Sequence, residues 1–156
     1  MTEKRCCFAG HKDIYRDVRL QEFLYDKCEK LIIEKNVKFF WIGNYGSFDA
    51  LAARTVRKLK EKYPYIKLEL ILPYITKSIR DYKEMFYKNY DTITIANMPE
   101  HTPVKFRILK CNQYMVDCFD YLIAYVNRSF GGAAKTLEYA KRKTKIKIFN
   151  FGSIFP

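Results

Sequence analysis

The sequence predicts an α/β fold, a Rossmann-like three-layer sandwich with a mainly parallel sheet. Three observations predict it. Short apolar runs alternate with amphipathic segments of about a dozen residues, the spacing of βαβ units. Glycines stand where those runs end, at Gly10, then Gly43 and Gly46, then Gly131 and Gly132. No repeat or low-complexity linker divides the 156 residues, so one domain over 1–156 with a single buried core is expected.

Taken in order, RCCFAG (5–10) reads as a strand, and IYRDVRLQEFLYDKCEKLIIEK as a helix whose stripe is Val18, Phe23, Leu24, Leu31 and Ile32. VKFFWIG is the second strand and NYGSF its loop. Asp49 is the expected N-cap of the helix ALAARTVRKLKEKY. IKLELIL is a third strand closed by Pro73, SIRDYKEMFYKN a short helix and DTITIA a fourth strand. NMPEHTPV reads as a surface loop, VKFRILKCNQYMVDCF as a helix, YLIAYV as a fifth strand, AAKTLEYAKRK as a helix and KIFNFG as the last strand. Strands linked by helices imply right-handed crossovers and a ligand crevice beyond the carboxyl ends of the strands.

Composition narrows the chemistry. The five cysteines lack metal-ligand or redox spacing and read as reduced structural thiols; His11 and His101 are too few for a His-rich metal site. No metal or cofactor is expected. No apolar run reaches the ~20 residues of a membrane helix, and MTEKRCCFAGHKD lacks a long apolar stretch, so no membrane association and a cytoplasmic location are expected. The formal charge of +12 favours an anionic partner, although helix-face lysines such as those of RTVRKLKEKY account for much of it.

In GGAAKTLEYA, small residues let a backbone approach closely, and a helix start supplies free amides and the positive end of a dipole for an anion. Lys135 and Thr136 add a charge and a hydroxyl there. The competing reading is that Gly131 and Gly132 only turn the chain. GNYGSFD has neither GxGxxG nor GxxxxGK[ST] spacing, which excludes support for an ordinary NAD dehydrogenase or a P-loop NTPase.

Four blocks, CCFAGHK, IGNYGSFDALAA, CNQYMVDCFDYLIAYV and GGAAKTLEYA, together resemble the SLOG superfamily over nearly the whole chain. That Rossmann-like group includes the LOG phosphoribohydrolases and the DNA-processing protein DprA, and the chain most resembles its YpsA-like members. The resemblance implies a ligand crevice lined by Gly10, His11, Lys12, Gly43, Asn44, Tyr45, Gly46, Asp49, Asn112, Gly131, Gly132, Ala133, Lys135 and Thr136. It departs from the pattern at Ala9, Lys12 and Asn44, and most at Cys111, Asn112 and Gln113, where relatives carry Arg-Asn-Arg. The loss of both arginines removes the bidentate phosphate grip, leaving Lys12, Lys110 or Lys135 to hold a phosphate if one binds.

Three functional readings follow. The first is binding of a nucleotide or an NAD- or ADP-ribose-derived small molecule, as a sensor or sequestering module. The second is a LOG-like N-glycosidase acting on nucleoside monophosphates, with Glu138 at the spacing of the family's catalytic glutamate; against it, Cys111 stands near the place of the catalytic arginine, and Glu138 could simply pair with Arg142. The third is DprA-like nucleic-acid binding, for which Tyr45, Phe48 and Phe130 offer stacking surfaces. A homodimer or higher homo-oligomer accords with the superfamily's habit.

Overall fold

A computed structural model describes residues 2–14, 17–96 and 98–154, with the backbone alone at residue 105. Its strands are β1 (Lys4–Gly10), β2 (Val37–Ile42), β3 (Lys67–Leu72), β4 (Thr92–Ile95), β5 (Tyr121–Tyr125) and β6 (Lys147–Asn150). They form one sheet of order β4-β3-β2-β1-β5-β6, and each neighbouring pair is parallel. The helices are α1 (Val18–Lys35), α2 (Ser47–Lys62), α3 (Lys77–Asp81), α4 (Lys83–Asn89), α5 (Val104–Cys118) and α6 (Gly132–Lys141), with a short 3-10 turn at Phe151–Ser153.

The strands are apolar on both faces because helices cover both. Cys6 and Phe8 of β1 join Leu24, Cys28, Leu51 and Val56 of α1 and α2 in one core, whereas Cys7 and Ala9 join Met115, Val116, Leu137 and Ala140 of α5 and α6 in the other. Alternation along a strand thus builds two hydrophobic layers from one short run. In β3, Leu70 and Leu72 meet Ile79 of α3, while Ile71 faces the second core.

Several elements differ from the sequence reading. α1 buries Leu20, Leu24, Cys28, Leu31 and Ile32, while Val18 is 69% and Phe23 46% exposed. Val18 opens the helix off that face, and Phe23 lies at its edge with its ring tilted against Phe151. Tyr15 and Arg16, read as part of this helix, lie outside the described residues, as does Asn97 of the NMPEHTPV loop. Asp17 caps α1 by accepting from Arg19 N at 2.8 Å. The single short helix expected at 78–89 is two, parted at Tyr82, whose φ of −120° and ψ of 35° break the helical turn.

The chain winds outward from β1 to β4, then returns to lay β5 on the other side of β1. That reversal parts the loops leaving β1 and β5 and opens a crevice beyond their carboxyl ends.

Candidate functional site

At the exit of β1, Gly10 has no room for a side chain: a Cβ would fall 2.3 Å from the ring of Phe48, which is fully buried. His11 is 4% exposed, its backbone N–H donates to Tyr125 O at 3.2 Å, and its Nε2 accepts from the Asn127 N–H at 3.1 Å. A ring nitrogen that accepts must carry a lone pair, so the imidazole is neutral with its proton on Nδ1. Burial, with Arg128 nearby, lowers its pKa in keeping with that state. The Lys12 carbonyl accepts from Ser47 N at 2.8 Å and from Ser47 Oγ at 3.0 Å, and Ser47 Oγ accepts from Ile14 N at 2.7 Å. These bonds tie the β1 exit to the start of α2. Gly46 permits the approach, with φ at 128° and a hypothetical Cβ only 2.5 Å from Lys12 backbone.

At the exit of β2, Gly46 and not Asp49 occupies the cap of α2, and Asp49 lies within the first turn. From there its Oδ2 accepts the Tyr45 N–H at 3.0 Å, reaching back over the cap in the manner of a capping-box acid. Burial pushes the carboxyl up to about 6, opposed by that hydrogen bond. The Tyr45 hydroxyl is buried with no hydrogen-bond partner among the described residues, and burial raises its pKa. Cys111 of α5 lies close by, buried, its thiol pushed up to about 12 by burial and secondarily by Asp49.

At the exit of β5, Asn150 accepts from Val126 N at 2.9 Å and from Gly152 N at 3.0 Å, and its amide donates to Val126 O at 3.0 Å. This holds the root of the loop. Gly131 has φ at 95°, and a Cβ on Gly131 or Gly132 would meet nothing within 4 Å. The backbone at the start of α6 is therefore accessible, unlike that at Gly10 or Gly46.

The three exits enclose a crevice of about 320 Å³. Of the residues expected there, Gly10, His11, Lys12, Gly43, Tyr45, Asp49, Asn112, Gly131, Gly132 and Ala133 line it. Asn44, Gly46, Lys135, Thr136 and Glu138 do not. Asn44 is exposed, Gly46 packs on Lys12, and Lys135 is exposed along α6. Thr136 is 1% exposed and spends its hydroxyl on Gly132 O at 2.9 Å, bracing the first turn of α6. Glu138 is exposed and pairs with Lys141 at 3.4 Å, not with Arg142, whose guanidinium lies over the Tyr139 ring. Four lining residues escaped the sequence reading: Phe8, Ala9, Ile108 and Arg128. Arg128 had a signal, a cation three residues before the glycine pair; it bonds Asp13 at 3.1 Å across the mouth. Among the described residues no group of three or more His, Cys, Asp or Glu could hold a metal ion.

A model of the YspA SLOG family, YpsA, matches residues 8–152. The chain belongs to this family. It is similar to UPF0398 protein BH1768 of Halalkalibacterium halodurans, 27% identical over 134 residues that cover 80% of this chain and 69% of that protein. It is also similar to the uncharacterized SPbeta prophage-derived protein YoqJ of Bacillus subtilis, 28% identical over 140 residues, covering 80% and 82% respectively. Two solved structures share the fold. DNA processing protein A from Helicobacter pylori, described for its single-stranded DNA binding mode, superposes with a TM-score of 0.65 at 15% identity over 96% of this chain. DprA from Streptococcus pneumoniae gives 0.67 at 12% identity over 95% of it. This SLOG chain spans 65% and 50% of those two chains. No described helix is long and apolar enough to cross a membrane.

Proposed function

We propose that this SLOG protein binds a nucleotide or an NAD- or ADP-ribose-derived small molecule in the crevice, as a sensor or sequestering module. The observation that carries the reading is the open glycine pair: Gly131 and Gly132 leave the first amides of α6 accessible from the crevice. Helix-start amides and the dipole behind them favour an anion. Lys12 and Arg128 line the same space and supply the positive charge that Cys111 does not. A volume of about 320 Å³ suits a ligand the size of a mononucleotide, near the lower end of the roughly 300–1,000 Å³ of small-molecule sites.

Hydrolysis of the ligand is the weaker reading, because Glu138 stands outside the crevice lining and is engaged by Lys141. Single-stranded nucleic acid is the second reading. It is favoured by the structural similarity to DprA and by a charge of +12.

The test is titration calorimetry with AMP, ADP-ribose, cyclic ADP-ribose, NAD and an oligothymidylate, on the parent and on Gly132→Asp. Open space around Gly132 admits the new side chain, and an acid in the first turn suits a helix start, so the variant folds. Its carboxylate stands where the anion belongs, and affinity should fall about 100-fold or more, since like-charge contacts cost several kcal/mol. Unchanged affinity in the variant removes the site; tight, salt-sensitive binding of the oligonucleotide alone selects the second reading.

A further inference from the structure

Asp49 is the only carboxylate among the described residues that line the crevice. It belongs to the β2 side, whereas the glycine pair belongs to the β5 side, and β1 runs between them. Neighbouring strands lie ~4.8 Å apart, so the two exits stand about 10 Å from each other. The β5 end offers donors, namely the α6 amides and Arg128. The β2 end offers a negatively charged acceptor. A ligand that spans the crevice is therefore anionic at one end and carries hydrogen-bond donors at the other. The reverse orientation would set its anion against a carboxylate.

The capping role of this acid does not by itself require a charge. Among the described residues it accepts one hydrogen bond, from Tyr45 N, and an amide oxygen would accept that bond equally well. The charge gains from its place in the first turn of α2, but burial outweighs that gain: it pushes the carboxyl up to about 6, and the α5 neighbour, where the family resemblance puts an arginine, is the neutral thiol of Cys111. An ionised group kept half-buried without a counter-ion costs stability and calls for a partner from outside. Rossmann-like sheets supply a known use for such an acid, since dinucleotide-binding members set an Asp or Glu on a ribose hydroxyl.

We propose that Asp49 is the specificity-determining residue of the crevice, accepting a hydrogen bond from a ribose hydroxyl of a phosphorylated ribonucleoside whose phosphate meets the α6 amides. The inference rests on the nucleotide-binding reading above. The groups that face Asp49 or share its crevice are His11 and Lys12 from the β1 exit, Tyr45 from the β2 exit, Cys111 from α5 and Arg128 from the β5 exit. Because the ligand bonds the ionised acid, affinity rises with pH through about 6.

Calorimetry with AMP and 2′,3′-dideoxy-AMP, on the parent and on Asp49→Asn between pH 5 and 8, separates the possibilities. The dideoxy ligand should bind the parent about 10- to 100-fold more weakly, the worth of a hydrogen bond to a charged group. In Asp49→Asn the amide oxygen keeps the Tyr45 bond, the preference for AMP collapses, and part of the pH dependence disappears. The phosphate titrates near pH 6 in both proteins, so the difference between parent and variant is the quantity read. Equal binding of AMP and its dideoxy analogue by the parent overturns the role of Asp49 and leaves nucleotide binding intact. Failure of both, with AMP and the other ribonucleotides silent at every pH, overturns the nucleotide reading and this inference together.

Discussion

The groove between α1 and α2 is about 760 Å³, more than twice the crevice at the strand exits, yet the two differ most in what lines them. Gln21, Glu22, Asp26, Arg54 and Lys58 line the groove, long side chains of both signs carried on helix surfaces. Three strand-exit loops line the crevice and bring Gly10, Gly43, Gly131 and Gly132 to it, beside Lys12, Tyr45 and Arg128 and beside Ile108 and Asn112 of α5. Holding a small ligand against a mobile side chain costs rotamer entropy, about 0.5–1.5 kcal/mol for each one immobilised. Backbone amides at a helix start are already fixed and pointed. Volume alone would favour the groove; preorganisation is the reason the proposed function is assigned to the crevice.

The largest effect expected from breaking that preorganisation is at Gly46. Alanine there brings a Cβ to 2.5 Å from Lys12 backbone and holds φ near 128°, which a side chain tolerates badly. The Ser47 bonds that tie the β1 exit to α2 must shift with it. We expect Gly46→Ala to lower unfolding free energy by about 2–4 kcal/mol in urea titration, the sum of strain and overpacking. Gly132 lies on the same crevice with nothing within 4 Å, and the Gly132→Asp variant should keep its stability within about 0.5 kcal/mol. Similar losses of stability at both positions would show that the two glycines share one structural role.

A smaller effect sharpens the comparison through Asp49, whose carboxyl is pushed up to about 6 in the folded chain against an ordinary value of 3.8. The folded state holds this proton more tightly than the unfolded one. The stability linked to the protonated acid is thus full below about pH 4 and is lost as pH rises through 6. Asp49→Asn keeps an acceptor for Tyr45 N and carries no charge. Chemical denaturation should find parent and variant alike near pH 4, with the variant more stable by about 1–3 kcal/mol at pH 8. A variant less stable than the parent at pH 8 would mean that the ionised acid supports the fold.

Strands and most helices were legible because each is a local pattern: apolar runs ended by glycine, and amphipathic stretches with a cap at one end. The loops after β1, β2 and β5 were legible as a cluster because parallel winding puts the ends of those strands on one edge. Side-chain direction was not. Thr136 and Glu138 are two residues apart on α6, and only the packed structure shows one buried under the first turn and the other in solvent. Asp49 reads as a cap from its position before ALAARTVRK, yet Gly46, free to take a positive φ, starts the helix one turn earlier and turns the acid toward the crevice. Arg128 was missed because the reading of this loop centred on the glycine pair and the helix start behind it, and its place at the mouth depends on a tertiary bond to Asp13.

The smallest expected effect tests the groove itself. Arg54→Ala and Lys58→Ala remove both cations from its lining, and if the groove held the anionic ligand they would cost at least tenfold in affinity for AMP. Neither residue lines the crevice, and Lys58 instead lies over the ring of Tyr25. Without a direct contact their charges act on the crevice only as a field, which salt screens over about 8–10 Å at ordinary ionic strength. Removing two charges from a chain of net +12 leaves most of the long-range attraction in place. We therefore expect the double variant to bind AMP within about twofold of the parent by calorimetry at 0.15 M salt, with stability changed by no more than about 0.5 kcal/mol for a surface site. A tenfold loss that persists at 0.5 M salt would move the ligand from the strand exits to the helix groove, because a direct contact survives the screening that removes a distant one.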